Sequence, residues 1–113
     1  MLMMQRDSLS FVGRNGEIYE FHVYPWGHEF DILPAVYVLA EKRTQKSGGE
    51  DYQILYIGET MDLSTEFVAH KHQESLVARN VNTIGVRLDP DPESRVNLAR
   101  ELSAGFLRTN EAR

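Results

Sequence analysis

Six consecutive apolar residues, Ala35-Val36-Tyr37-Val38-Leu39-Ala40, run between Pro34 and Glu41 and constrain this chain more than any other stretch. Successive side chains of a strand point to opposite faces, so a strand-length run that is apolar throughout predicts a central strand buried on both sides. The following stretch, Lys42 to Asp51, is polar and contains Gly48-Gly49, which predicts an exposed hairpin loop. Tyr52 to Ile57 then reads as a second strand, antiparallel to the first, ending at Gly58.

Elements on either side of this pair follow from local signals. Residues 8–24 hold two alternating runs around Gly13-Arg14-Asn15-Gly16, and Asn-Gly supplies the positive φ values that tight hairpin turns need. In the second run Ile18, Tyr19, Phe21 and Val23 compete for the inward face, so alternation alone leaves the register open. Pro25 to Pro34 reads as a surface loop pinned by Trp26 and Phe30. After Gly58, either Asp62 or Ser64 can cap a helix, with Leu63, Phe67 and then His70 or Lys71 at helical spacing to about Glu74. Asn82 to Leu88 is a further strand. Asp91-Pro92-Glu93 opens a last helix, whose inward face is predicted to carry Val96, Ala99, Leu102 or Ser103, and Phe106.

The order of elements makes the fold class α+β: a small antiparallel central sheet flanked by helices, with an added N-terminal β-hairpin. At 113 residues, 42% hydrophobic and 26% charged, residues 1–113 are expected to form a single domain around one core. The chain has no cysteine, which excludes disulfides, thiolate metal sites and thiol nucleophiles and suits a reducing compartment. Only a short apolar run precedes Arg6 and Asp7, too brief for a signal-peptide core or a membrane span, so a cytoplasmic protein without membrane attachment is expected. The net charge of -5 argues against broad nucleic-acid binding, which needs clustered positive charge, although a local basic face is compatible with it.

Two tripeptides on adjacent strands, Ala35-Val36-Tyr37 and Tyr56-Ile57-Gly58, are followed by Gly58-Glu59-Thr60, by Asp62-Leu63 opening a helix, and by His70 within that helix. This combination, spanning about residues 34–110, resembles the GIY-YIG nuclease superfamily, with Ala35 in place of the usual first glycine. The leading hairpin, about 8–24, resembles an N-terminal addition found in some small members. The resemblance implies a three-stranded antiparallel sheet and hydrolysis of a phosphodiester with one divalent metal, Mg²⁺ or Mn²⁺. It further implies that Tyr37 and Tyr56 orient or deprotonate the attacking water, and that Gly58 bends the backbone to bring the helix start beside them. An arginine on the next helix would hold the phosphate and a glutamate on a later helix would bind the metal. That arginine position falls on Glu66, a reversal of charge. With Phe106 and Leu102 aligned on the family's aromatic and leucine, the glutamate position falls on Ala99, and Glu101 lies about 200° away around the helix.

The remnant cleft of that reading is Tyr37, Tyr56, Gly58, Glu66 and His70. Beside it stands the plainer reading that both tyrosines bury a ring and keep the hydroxyl at a wet edge. Glu66 and His70, four residues apart, and Glu101 are weak metal candidates, against an ordinary surface hydrogen bond or ion pair. His22 and His28 flank an aromatic cluster that suits base stacking, or serve as a solvent-side strand residue and a loop anchor. Arg79, Arg87, Arg95, Arg100 and Arg108 form a phosphate-binding stripe only if they converge. Interleaved Asp89, Asp91 and Glu93 favour a solvated mixed face instead, and Lys42, Arg43 and Lys46 belong to a loop. Three functions follow from these residues. The first is a catalytically inactive nuclease-like domain kept as a nucleic-acid or protein binding module, with no cofactor. The second is an active metal-dependent endonuclease with a rearranged site. The third is an oligomerising protein that uses the Trp26 and Phe30 loop.

Overall fold

The computed structural model describes residues 8–13, 16–70 and 79–111, including their side chains outside 50, 68–70 and 105–111. Among the described residues there are five strands, β1 (Ser8–Val12), β2 (Ile18–Pro25), β3 (Ala35–Thr44), β4 (Glu50–Thr60) and β5 (Thr83–Leu88). Two helices complete the described elements, α1 (Leu63–His70) and α2 (Pro92–Glu111). All strands join one antiparallel sheet of order β1-β2-β5-β3-β4, so the fold is α+β. No described helix is long and apolar enough to cross a membrane.

The apolar run sets the layering. Every residue from Ala35 to Ala40 is buried. Ala35, Tyr37 and Leu39 join one cluster with Leu55, Leu63, Phe67, Ile84 and Val86, whereas Val36 and Val38 join another with Phe21, Leu98 and Leu102. Alternation thus gives each face its own core: α1 covers the first and α2 the second. Full burial of an aliphatic or aromatic side chain stabilises by about 1.5–3 kcal/mol, so a charge at either parity of this run would disrupt one core.

Three expectations are corrected. The hairpin β1–β2 extends the central sheet, because β2 pairs with β5 from His22↔Val86 to Pro25↔Thr83. The three-stranded sheet that the resemblance implied is therefore five-stranded. Phe21 takes the inward position and Ile18 is 68% exposed, with Phe11 and Phe21 packed edge to face at 5.3 Å. Second, the polar loop shrinks to residues 45–49, where Gly48 adopts φ 96 and the Gln45 N–H donates to the Gly49 carbonyl at 2.7 Å. Backbone pairing continues beyond the apolar run to Thr44↔Glu50, supported by Arg43 donating to Glu41 and Gln53. Third, α2 presents Arg95, Leu98 and Leu102 inward, with Ala99 packed beside them as expected, and leaves Val96 38% exposed, so the face starts from Arg95 in place of Val96. The helix start itself is as read: Asp91 accepts from the Glu93 N–H at 3.1 Å. The side chain of Phe106 lies outside the described residues.

Candidate functional site

Tyr37 in β3 is paired across the sheet with Gly58 in β4. A β-carbon on Gly58 would stand 2.8 Å from the Tyr37 hydroxyl oxygen, 2.9 Å from its Cζ and 2.9 Å from Cε2 of Tyr56. Gly58 is thus needed for the space above it, which the two phenol rings occupy. This corrects the expected bend at Gly58: β4 runs through this residue to Thr60 with regular pairing. Tyr56 reaches the same face through a bulge. The register shifts between Leu39↔Tyr56 and Ala40↔Ile54, leaving Leu55 as the extra residue. Leu55 joins the cluster that contains Tyr37 while the Tyr56 ring lies 6.0 Å from the Tyr37 ring, so two successive side chains serve one face.

The start of α1 is fixed by three local contacts. Asp62 caps it, accepting from the Ser64 N–H at 2.9 Å, and Thr60 Oγ1 accepts from the Asp62 N–H at 3.0 Å. The Leu63 N–H, otherwise an orphan of the first turn, donates to the Leu33 carbonyl at 3.0 Å. One turn later Glu66 arrives over the sheet, where its Oε2 accepts the Tyr37 hydroxyl at 2.7 Å. Tyr37 is only 1% exposed, so its hydroxyl sits at no wet edge and is satisfied by a carboxylate. Burial first, then the hydrogen bond and charge of Glu66 and the neighbouring Tyr56, push the Tyr37 hydroxyl far above the ordinary phenol range. Its proton stays in place.

From Tyr37 an aromatic column continues through Phe67 (4.9 Å) and Phe30 (5.6 Å from Phe67) to Tyr24 (5.1 Å from Phe30). Trp26 meets Phe67 at 6.3 Å. Trp26 and Phe30 fold back to pin the loop, which removes them as the exposed contact surface of the oligomerising reading. His28 anchors the same loop, with ring centroids 4.7 Å from both Tyr24 and Phe30, and His22 is exposed on β2.

Four of the residues singled out from sequence, Tyr37, Tyr56, Gly58 and Glu66, are brought together; the side chain of His70 lies outside the described residues, as do His72 and the expected end of the helix near Glu74. Ala99 is not at this site. It packs with Leu98 and Leu102 against the cluster of Val36 and Val38, across the sheet from Tyr37, and Glu101 rides on the same helix. A residue at position 99 cannot share a cation with Glu66, because the sheet stands between them.

The arginines do not converge either. Arg95 is 3% exposed, its Nε donating to Glu59 Oε1 at 2.9 Å and its Nη1 to the Asp89 carbonyl at 3.1 Å. Arg87 pairs with Val36 in register, shares its face and lies over the Tyr19 ring at 5.2 Å. Arg79 and Arg100 are exposed, and the Arg108 side chain lies outside the described residues. Sequence reasoning missed the Arg95–Glu59 pair, for which a separation of 36 positions leaves no local signal. It also missed Asn82, whose side chain accepts the Lys42 N–H (2.8 Å) and donates to the Lys42 carbonyl (3.2 Å), extending the ladder one step beyond β5.

Among the described residues no three His, Asp or Glu side chains converge on one point. The carboxylate nearest the tyrosines among the described residues is that of Glu66, whose Oε2 accepts the Tyr37 hydroxyl hydrogen bond. Comparison with protein-family models, with curated proteins and with solved structures returns no match to this chain.

Proposed function

We propose that the chain is a GIY-YIG-like scaffold that does not cleave phosphodiesters and is kept as a binding module, with a protein partner favoured over nucleic acid. The observation that carries this reading is the buried Tyr37 donating its hydroxyl to half-buried Glu66 at 2.7 Å. Phosphodiester hydrolysis needs cations around the phosphoryl oxygens and an activated water. Here the position that the resemblance gives to an arginine carries a carboxylate. The phenol that would act on water has its proton committed to that carboxylate. Neither Arg95, engaged by Glu59, nor Arg87, on the opposite face, replaces the missing cation. The net charge of -5 adds a general repulsion towards nucleic acid.

The test is a cleavage assay on labelled single-stranded DNA, duplex DNA and RNA with Mg²⁺ or Mn²⁺. No products are expected above a metal-free control. Turnover that disappears in Tyr56→Phe would overturn the reading.

A further inference from the structure

At the Ala35 end of the sheet, apolar side chains from three chain segments are left in solvent. Ile32 is 75% exposed, Met61 72%, Leu88 58% and Leu33 37%. The backbone holds them in one place: Ala35 pairs with Thr60 on one side and with Leu88 on the other. Leu88 and the residue before Met61 are therefore two strand spacings apart, about 10 Å. The loop carrying Ile32 and Leu33 is tied to both flanks, since the Leu33 carbonyl accepts from Leu63 N–H at 3.0 Å and the Pro34 carbonyl from Asp89 N–H at 3.1 Å. Single exposed apolar residues are unremarkable, but four carried on one hydrogen-bonded frame form a patch.

The rim of this patch is predominantly negative. Asp31 precedes Ile32, Asp62 follows Met61 and Asp89 follows Leu88, with Asp91 and Glu93 just beyond at the start of α2. The three segments 29–34, 59–66 and 88–94 contain no lysine or arginine. Arg95 lies beneath them, buried with its guanidinium on Glu59 and the Asp89 carbonyl, and Arg87, which is near enough to act on Asp89, turns to the face opposite Tyr37, over the Tyr19 ring. Hydrogen bonds from Ser64 and Ser94 hold Asp62 and Asp89 below the usual carboxylate range, so both remain charged at neutral pH. Lys42, Arg43 and Lys46 lie at the other end of β3 and its hairpin, so among the described residues the Ala35 end has a predominantly negative rim around an apolar centre.

We infer that the patch of Ile32, Leu33, Met61 and Leu88 docks a protein segment in which aliphatic side chains alternate with lysine or arginine. The aliphatic residues cover the apolar centre and the cations meet Asp31, Asp62, Asp89 and the α2 start. Apolar burial supplies affinity and the rim supplies selection against acidic segments and nucleic acid. This rests on the reading of the chain as a binding module. It uses no residue of the tyrosine site, so it stands or fails separately from the cleavage assay.

The experiment is fluorescence anisotropy with a labelled synthetic peptide of leucines and lysines, beside one with glutamate for lysine and one with alanine for leucine. Binding of the leucine–lysine peptide alone is expected, weakening as salt is raised. The surface variant Ile32→Ser with Met61→Ser should bind about tenfold more weakly. Asp31→Asn with Asp91→Asn should lower affinity and flatten the salt dependence. The inference is overturned by no binding at about 1 mM protein, by equal binding of the alanine or glutamate peptides, or by unchanged affinity in Ile32→Ser with Met61→Ser. Sedimentation of the free protein covers the remaining occupant: self-association abolished by that same variant would assign the patch to a second copy of the chain and overturn the peptide assignment.

Discussion

On the face of the sheet that carries Tyr37, the core is closed by an aromatic column and one neutral donor, a phenol held by Glu66. On the face that carries Val36 and Val38, it is closed by α2, aliphatic side chains and a full cation, Arg95, held by Glu59. Strand β4 serves both: Tyr56 and Gly58 turn to the first face, Ile57 and Glu59 to the second. The difference lies in what each face loses when its carboxylate is removed. A buried phenol without its acceptor loses one hydrogen bond, whereas a buried guanidinium without its carboxylate is an unpaired charge.

The largest effect is therefore expected on the helix face. Glu59→Ala strands Arg95 and should cost about 3 kcal/mol in denaturant unfolding, at the low end for buried pairs because Glu59 is itself partly exposed. Glu59→Leu combined with Arg95→Met should recover most of that loss; if the double variant is no more stable than Glu59→Ala, the account of the pair is wrong.

Next come the two sheet glycines, one on each face. Gly58→Ala drives a methyl within 2.8–2.9 Å of Tyr37 and Tyr56, and the buried Tyr37 ring has no room to retreat, so a cost of about 2 kcal/mol is expected. Gly85→Ala meets Phe21 Cβ at 3.4 Å, Leu9 Cδ1 at 3.6 Å and Val38 Cβ at 3.7 Å, close to ordinary contact. Its unfolding free energy should stay within about 0.5 kcal/mol of wild type, helped by the lower unfolded-state entropy of alanine. Equal costs at the two positions would erase the steric distinction between the faces.

Tyr37→Phe removes only the hydroxyl and should cost about 1 kcal/mol at neutral pH, since the half-buried Glu66 retains access to water. The pH dependence gives a sharper reading. Burial and Glu66 raise the Tyr37 pKa above the unfolded value of 10.0, so its stabilising contribution is complete below that pH and is lost progressively above it. Wild-type stability should fall above pH 10 by about 1.4 kcal/mol per pH unit more steeply than that of Tyr37→Phe. Parallel profiles for the two proteins would show that the hydroxyl is not buried as described.

Much of this architecture is legible residue by residue. The doubly apolar run of Ala35 to Ala40 predicts the central strand, Asp62 or Ser64 and then Asp91 announce the two described helix starts, and Trp26 with Phe30 predicts a pinned loop. The candidate site was legible in membership but not in cause. Tyr56-Ile57-Gly58 stands out as a tripeptide, yet only the register Tyr37↔Gly58 reveals that the glycine makes space for two rings. Ala99 aligned by helical spacing with a metal-ligand position, and spacing along a helix says nothing about which side of a sheet the helix will pack on.

The sequence by itself determined the kinds and order of elements, because caps, turns and apolar periodicity act over a few residues and carry their physics with them. Only the tertiary structure decided which carboxylate meets which donor. The partners Tyr37 and Glu66, and Glu59 and Arg95, are set by the register of the sheet, the bulge at Leu55 and the side on which each helix lands. Those choices are made by burial summed over the whole core, and no local pattern records that sum.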